Sequence, residues 1–304
     1  MLRLSQWRVP APPFGFWKSA GYILGAIQRF VFGCKSMGKL GKAIKTGLMV
    51  GASGLALYSI ARRLKLTNRI ARALQDVEAV PFPGTRLYAF LAAKQLRPLY
   101  QEICREILEE KKFKRVLNLN TGPGYLPIEL ALQDNSIEVT GTDPSPDMVQ
   151  IARANARAED INEQIHFAIG DSSNLPFPGR YFDLVISVNV LHHWKNPVQV
   201  FEEAYRVLTP DGEFWVYDYR KDVPAEQFQA LAKDLPFYLR AQFQLGPFAS
   251  WQAAYDKEEM CRIASHAHFS DPVIEDCVLP LFGKPMPIFV RLRIRKSGHK
   301  DDEH

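Results

Sequence analysis

Three short segments, each of which follows a predicted apolar strand, contain residue types that suit a nucleoside-containing cofactor. Gly122 and Gly124 lie in the first segment, where glycines let the backbone turn tightly and approach a ligand closely. Asp143 ends the second strand about 20 residues later, where an acid can bind both hydroxyls of a ribose. Asp171 follows the third strand and is placed to accept a hydrogen bond from an exocyclic amine such as that of adenine.

The spacing of these residues argues against two other nucleotide chemistries. A phosphate-binding Walker loop requires Gly-Lys-Ser/Thr, but Tyr125 and Leu126 follow Gly124 here. The dinucleotide fingerprint G-x-G-x-x-G also fails, since Asn120 takes the first glycine position and Pro127 the third. Phosphoryl transfer and nicotinamide chemistry are therefore disfavoured.

A second group of polar residues is predicted at the same edge of the fold. His192 and His193 lie just beyond the fourth strand, and Asp218 ends the fifth. An imidazole or a carboxylate there can take a proton from a bound substrate or orient that substrate. The alternative is a loop histidine that packs or forms hydrogen bonds. Tyr217 and Tyr219 are candidates to line the pocket for the molecule that accepts the transferred group, called the acceptor pocket below.

No metal site is predicted. His266 and His268 have no third ligand nearby, and the four cysteines form no C-x-x-C pair. The cysteine pattern therefore predicts reduced thiols in a cytosol-like compartment.

The hydrophobic pattern predicts strands and helices that alternate. The predicted strands are 115–120, 137–142, 164–169, 182–187 and 213–217, and the predicted helices between them are 125–133, 146–158 and 198–208. Such alternation predicts a Rossmann-like, doubly wound, mostly parallel α/β sheet with helices on both faces. Two closing segments, 272–281 and 287–294, fit antiparallel strands at the sheet edge and bring the sheet to seven strands. Ligands bind such sheets beyond the carboxyl ends of the strands.

Five segments in this order resemble the motifs of class I S-adenosylmethionine-dependent methyltransferases. They are VLNLNTGPGY at 116–125, GTDPSPDM at 141–148, GDSSNLPF at 170–177, FDLVISVNVLHHW at 182–194 and YRVLTPDG at 205–212. The branch most similar to this sequence contains quinone, sterol and other lipid methyltransferases. The resemblance implies S-adenosylmethionine as cofactor and transfer of its methyl group to a small molecule.

The resemblance also implies roles for individual residues. Asn118, Asn120, Thr121, Gly122 and Gly124 would face the methionine part of the cofactor, Asp143 and Pro144 the ribose, Asp171 and Ser172 the adenine, and Asn189 the floor of the pocket. The family usually has Asp or Glu at position 118 and Gly at position 120, so both asparagines depart from its pattern. Asparagine tolerates left-handed backbone dihedrals, which would preserve the turn.

Charge is divided unevenly along the chain of 304 residues. Residues 1–75 contain 13 of the 38 Lys and Arg residues and none of the 33 Asp and Glu residues. The other 229 residues therefore carry 25 basic and 33 acidic residues. This division excludes a uniformly basic nucleic-acid-binding protein, and a hydrophobic content of 47% excludes a wholly disordered chain.

The acid-free segment 1–75 has three interpretations. Interleaved aromatic and basic residues predict a helical arm that associates with a membrane on its cytoplasmic side. Its uncharged run, 46–61, would span about 24 Å as a helix, which is shorter than a bilayer core of about 30 Å. A cleaved mitochondrial presequence and a soluble cap that contacts a partner or nucleic acid are the alternatives.

The predicted organisation follows from these patterns. Flanking or lid helices occupy 76–112, a methyltransferase domain occupies 113–295 with an apolar insert at about 222–250 that contributes to the acceptor pocket, and a charged tail occupies 296–304. We expect methyl transfer to a hydrophobic, lipid- or quinone-like small molecule at a membrane surface. The alternatives are a catalytically weakened scaffold protein and an RNA methyltransferase that uses the basic arm, although no RNA-methyltransferase motif follows strand four. Nucleic acid is therefore not the expected partner, and the pattern predicts no oligomeric state.

Overall fold

The computed structural model describes residues 84–110 and 112–297. The predicted helical arm at 1–75, the first part of the predicted flanking segment and the tail beyond residue 297 lie outside the described residues.

Seven strands form one mixed sheet in the order β3-β2-β1-β4-β5-β7-β6. Their bounds are β1 Arg115–Leu119, β2 Glu138–Asp143, β3 Ile165–Ile169, β4 Phe182–Val188, β5 Leu208–Tyr219, β6 Ser270–Leu281 and β7 Lys284–Arg295. The first five strands are parallel, whereas β7 lies antiparallel between β5 and β6. The Rossmann-like, mostly parallel fold is therefore confirmed. The strand order reverses between β1 and β4, and a crevice for ligands is expected at this point.

Strand β5 begins earlier than the sequence pattern predicts. It starts at Leu208 and not at Glu213, because a register shift between Phe182 and Leu184 of β4 accommodates the Asp-Gly turn within the strand. Asp211 adopts a left-handed φ of 66° in this turn. A polar turn can therefore lie inside one long strand, which hydrophobic periodicity does not reveal.

Eight α-helices lie in the described residues. Their bounds are α1 Gly84–Glu110, α2 Tyr125–Gln133, α3 Pro146–Ala158, α4 Pro197–Val207, α5 Ala225–Ala230, α6 Phe237–Leu245, α7 Pro247–Ala253 and α8 Lys257–His266. Ser145 and Asn196 cap α3 and α4, since their side chains accept hydrogen bonds from backbone N–H groups of these helices. None of the described helices is both long and apolar enough to cross a membrane.

One aromatic side chain packs against two glycines near the first loop. A Cβ atom added to Gly124 would lie 2.8 Å from Phe167 Cζ and 2.8 Å from the Cβ of Ala152. A Cβ atom added to Gly141 would lie 2.9 Å from the Phe167 ring and 3.0 Å from Thr121 Oγ1. The Phe167 ring thus occupies the space that the missing side chains of both glycines leave open.

Helix α1 is joined to the sheet by buried and half-buried polar contacts. Glu106 on α1 accepts a hydrogen bond of 2.7 Å from the hydroxyl of Tyr217 on β5 and pairs with Arg291 on β7. Glu110 pairs with Arg293 at 2.7 Å. The segment predicted as flanking helices therefore contains one long helix, whose C-terminal part is bound to β5 and β7.

Candidate cofactor and acceptor site

The loop between β1 and α2 and the end of β2 form a connected polar unit. The backbone N–H of Gly122 donates to Oδ2 of Asp143 at 2.9 Å, and the N–H of Ser145 donates to Oδ1 at 2.9 Å. Asp143 is buried, and its burial raises the pKa of this carboxyl above its ordinary value, while the two N–H groups oppose the shift. Pro144 is half-buried and joins Asp143 to the cap of α3.

The loop at Gly122 is open. Gly122 has a φ of 54°, and a Cβ atom added to it would meet no heavy atom within 4 Å. Gly124 has a φ of 79° but is closely packed against Phe167, so its role in the structure is to let the helix approach the sheet. The two glycines that the sequence grouped together therefore serve different purposes.

Several buried polar atoms at the carboxyl edge of the parallel strands have no hydrogen-bond partner among the described residues. They are Thr121 Oγ1, Thr142 Oγ1, Ser187 Oγ, Asn189 Oδ1 and His192 Nε2. Buried polar groups are normally paired, so a cluster of unpaired ones marks a site where a ligand or water would satisfy them. Thr142 and Ser187 were not predicted from the sequence, although a hydroxyl residue near the end of an apolar strand is a usable signal.

His192 and Asp218 form a buried pair. Nδ1 of His192 lies 2.9 and 3.0 Å from the two carboxylate oxygens of Asp218, and the backbone N–H of His192 donates to Oδ2 at 3.3 Å. The side chains are 0% and 2% exposed. In the tautomer in which Nδ1 carries the proton and donates to the carboxylate, the lone pair of the ring lies on Nε2. Sequence reasoning named both residues, and the structure brings them together.

His193 lies beside this pair. It is half-buried, and its ring centroid lies 4.1 Å from that of His192. Both residues belong to a 3₁₀ turn, Leu191–His193, which we call the histidine turn. The imidazole that Asp218 orients is that of His192, so the geometry separates the two candidates.

The other predicted cofactor residues follow β3 and β4. Asn189 has a φ of 58°, and its backbone N–H donates to Tyr217 at 2.8 Å. Asp171 is exposed, and its Oδ1 accepts from the N–H and hydroxyl of Ser173 at 2.8 Å each. Ser172 is buried, and its hydroxyl donates to Asn120 Oδ1 at 2.7 Å.

Comparison with known proteins identifies the domain. Residues 117–216 match the family model described as "Methyltransferase domain". Demethylmenaquinone methyltransferases of Deinococcus radiodurans and Thermus thermophilus are 34% and 36% identical over 106 and 110 residues. Residues 117–216 form a class I S-adenosylmethionine-dependent methyltransferase domain.

The similarity in sequence covers only part of each chain. The two alignments cover 35% and 36% of this chain, and the chain spans 43% and 49% of the length of those relatives. A Methanococcus maripaludis protein assigned as an S-adenosyl-L-methionine-dependent methyltransferase superposes with a TM-score of 0.53 at 20% identity, over 72% of this chain and 94% of that one. This likeness establishes the fold of the methyltransferase domain.

The residues of the methyltransferase domain fit S-adenosylmethionine. Asp143 is an acceptor at the end of β2, the loop at Gly122 is open, and Thr121 and Asn189 carry buried oxygen atoms without partners in the described structure. These are the groups that hydroxyl and ammonium donors of the cofactor require.

The two asparagines that depart from the family pattern are both accommodated. Asn120 has a φ of 48°, so the predicted left-handed turn is confirmed. Asn118 is buried on β1, and its Nδ2 donates to the carbonyl of Ile186 on β4 at 3.2 Å. Asn118 therefore bridges the two strands that border the crevice, which an acidic side chain could not do as a donor.

The insert is formed by aromatic side chains that pack on one another. Phe228 is fully buried, and its ring centroid lies 5.4 Å from that of Phe243, 6.0 Å from that of Phe248 and 5.2 Å from that of Trp251. Tyr219 connects this cluster to the site, since its centroid lies 6.1 Å from Phe228 and 6.2 Å from His192.

The prediction that Tyr217 lines the acceptor pocket is wrong. Tyr217 is fully buried, and its hydroxyl is bound to Glu106 of α1. Burial, together with the adjacent Glu106 carboxylate, raises the pKa of Tyr217 well above its usual value. A tyrosine in an apolar strand carries no sequence signal for the face it takes when both faces are covered by helices.

The described residues contain no cluster of His, Cys, Asp and Glu side chains that could hold a metal ion. Cys104, Cys261 and Cys277 are free thiols, while Cys34 lies outside the described residues. Burial raises the pKa of Cys277 to about 12.

Proposed function

We propose that this protein transfers a methyl group from S-adenosylmethionine to a hydrophobic, lipid- or quinone-like small molecule at the cytoplasmic surface of a membrane. The single observation that carries the chemistry is the buried His192–Asp218 pair: Nε2 of His192 has no hydrogen-bond partner among the described residues, and the His192 ring centroid lies 6.2 Å from that of Tyr219. The acceptor class is supported by the quinone methyltransferases to which the domain is similar.

The bound cofactor supplies an electrophilic methyl group on a sulfonium. The protein's own contribution is to align the acceptor with that methyl group and to exclude water. Asp143 and the N–H of Gly122 form one fixed unit at the end of β2, which would hold the ribose in a constant position. The loop at Gly122 gives the backbone room to approach the cofactor.

His192 is the proton acceptor in this proposal. Asp218 holds Nδ1–H, so Nε2 can take the proton of an acceptor hydroxyl as that oxygen, or a ring carbon conjugated with it, attacks the methyl group. Asp218 also stabilises the positively charged imidazole that results. Tyr219 and the aromatic cluster around Phe228 provide an apolar environment next to this base.

The first experiment is calorimetric titration of the full-length protein with S-adenosylmethionine and with its demethylated product. We expect binding of both, and absence of binding at millimolar ligand would overturn the proposal. Incubation with radiolabelled cofactor and a panel of demethylated quinols, phenols and sterols then identifies the acceptor class. A panel that is methylated only on water-soluble members would overturn the hydrophobic acceptor.

The membrane surface is proposed from the acid-free segment 1–75 and its 13 basic residues. We expect full-length protein to float with vesicles that contain anionic lipid and to remain in solution with vesicles of neutral lipid alone. Replacing Lys39, Lys42 and Lys45 by Glu in the full-length chain should weaken flotation. Absence of flotation with either vesicle would overturn the membrane arm, and an N-terminus that begins beyond this segment in cell-derived protein would support a mitochondrial presequence.

A scaffold without turnover is the second candidate. It is favoured by Asn118, which places a neutral amide bound to Ile186 at the position where the family has a carboxylate. Cofactor binding with no methylation of any acceptor in the panel would support the scaffold and would refute catalysis.

A further inference from the structure

Asn120 connects three loops at the carboxyl edge of the sheet. Its Oδ1 accepts a hydrogen bond of 2.7 Å from the hydroxyl of Ser172, which follows β3, and one of 3.0 Å from Nε1 of Trp194, which follows the histidine turn. Ser172 and Trp194 are 4% and 6% exposed. One side-chain oxygen on the first loop therefore satisfies two buried donors that come from opposite sides of the cofactor crevice.

The turn itself does not require this side chain. Asn120 has a φ of 48°, a conformation that glycine adopts without cost and that asparagine and aspartate tolerate better than other residues. Glycine would therefore maintain the backbone and remove the acceptor oxygen. What asparagine adds at this position is the pair of hydrogen bonds.

The histidine turn is held from two directions. From β5, Asp218 binds the backbone N–H and Nδ1 of His192. From the loop after β1, Asn120 binds the indole of Trp194. The backbone N–H of Trp194 donates to Leu191 at 3.3 Å, and its ring packs edge-on against Phe201. Trp194 is two residues from His192, so its indole fixes the end of the turn that Asp218 does not reach.

We propose that Asn120 is a positioning residue that fixes the histidine turn, and with it His192, by binding the indole of Trp194. The catalytic meaning of this contact rests on the proposed function, but the contact itself is a property of the protein alone. Ser172 makes the same oxygen a link to the adenine side, so the cofactor loops and the proton acceptor are joined through one atom.

Three backbone-compatible changes separate the hydrogen bonds from the turn. Asn120→Gly removes the oxygen, Asn120→Asp keeps an acceptor for both donors, and Ser172→Ala removes one donor alone. In full-length protein labelled with ¹⁵N in tryptophan and histidine, Trp194→Phe assigns the indole signal of Trp194. Trp215, whose Nε1 donates to Glu213 on β5 at 2.7 Å, provides an internal control away from the turn.

We expect Asn120→Gly to accelerate hydrogen exchange of the Trp194 indole by about tenfold or more, since a buried donor loses its acceptor. The ring signals of His192 should shift in the same variant, while the exchange of Trp215 stays unchanged. Asn120→Asp should retain the wild-type exchange and histidine signals, and Ser172→Ala should leave Trp194 protected. Unchanged exchange in Asn120→Gly, equal acceleration of Trp215, or failure of Asn120→Asp to restore protection would each overturn the proposal.

Calorimetry on the same variants distinguishes this proposal from the proposed function. Asn120→Gly keeps the loop backbone and Asp143, so retained affinity for S-adenosylmethionine in this variant supports the positioning role. Loss of cofactor binding in this variant would assign Asn120 to the cofactor and not to the histidine turn. Wild-type protein that fails to bind the cofactor would refute the proposed function, whereas the exchange measurements would still decide the role of Asn120.

Discussion

The proposed cofactor side and the proposed acceptor side of the sheet edge are built from different kinds of contact. On the cofactor side, backbone N–H groups of Gly122 and Ser145 bind one carboxylate, that of Asp143. On the acceptor side, side chains bind side chains: His192 pairs with Asp218, and Tyr219 joins a cluster of buried rings. The cofactor side therefore depends on backbone shape and one acid, whereas the acceptor side depends on the identity of many side chains.

Because of this difference, we expect the acceptor side and not the cofactor side to select among substrates. A backbone cradle accepts the same cofactor whatever the neighbouring side chains are, while an aromatic pocket changes its shape with each substitution. Substrate choice is therefore expected to reside in the insert and the histidine turn. The following predictions test this division in order of decreasing effect.

The largest effect is expected on the acceptor side at His192. His192→Gln should lower kcat by about 10³-fold, which corresponds to about 4 kcal/mol, because the proton acceptor held by Asp218 is lost. The affinity for the cofactor should stay the same. Steady-state kinetics with any acceptor found in the panel measures this. His193→Gln is the matched control, and an equal loss in that variant would show that Asp218 does not select the base.

On the cofactor side, Asp143→Ala should weaken binding of S-adenosylmethionine by about 100-fold. The change removes an acceptor for the cofactor and leaves the N–H groups of Gly122 and Ser145 without theirs. Calorimetry measures the loss. Asp147→Ala, in the first turn of α3, removes an acid four residues away and should leave affinity unchanged. Similar losses in both variants would contradict a specific role for Asp143.

Within the insert, Phe228→Leu should reduce the free energy of unfolding by about 1–2 kcal/mol, since a buried ring loses its contacts with Phe243, Phe248 and Trp251. Urea denaturation measures this. The variant should also change the relative rates with different acceptors while cofactor affinity stays constant. A change in cofactor affinity with no change among acceptors would break the division between the two sides.

The smallest effect is a pH dependence. Because burial raises the pKa of Asp143, its carboxylate takes up a proton at a higher pH than an ordinary aspartate does. Cofactor affinity should fall by less than about tenfold between pH 7 and pH 5. Folding stability responds to pH in the opposite sense from cofactor affinity. Because the pKa of Asp143 is raised in the folded state, this group favours folding at acid pH, and its contribution is lost as pH rises through that pKa. Calorimetry at several pH values tests it, and tighter binding in acid would contradict it.

The sequence predicted the local structure around Asp143 well because its signals are local. Helix α2 has the predicted bounds and Asp143 ends β2, since each of these depends on residues within one loop. The contacts that join helix α1 and the histidine turn to the rest of the fold depend on residues far apart in sequence. Tyr217 and Glu106 are 111 residues apart and Asn120 and Trp194 are 74 apart, so no local pattern indicates either contact.

Some residues that are neighbours in the sequence have different roles in the structure. Gly122 and Gly124 read as one motif, yet the first leaves the loop open and the second is packed. Trp194 packs edge-on against Phe201, and its indole also donates to Asn120, a residue that departs from the family pattern. The proposed roles of His192, Asp218 and the cofactor residues remain predictions until the variants are measured.

The packing of Phe167 against two glycines predicts which substitutions this sequence can tolerate at positions 124, 141 and 167. At Gly141 the barrier to alanine is steric, and the Phe167 ring is the larger part of it, so a smaller residue at 167 should permit Gly141→Ala. Gly124 has a left-handed φ of 79°, so alanine is strained there whatever occupies position 167. Among descendants of this sequence, positions 141 and 167 should covary, whereas glycine at 124 should stay invariant.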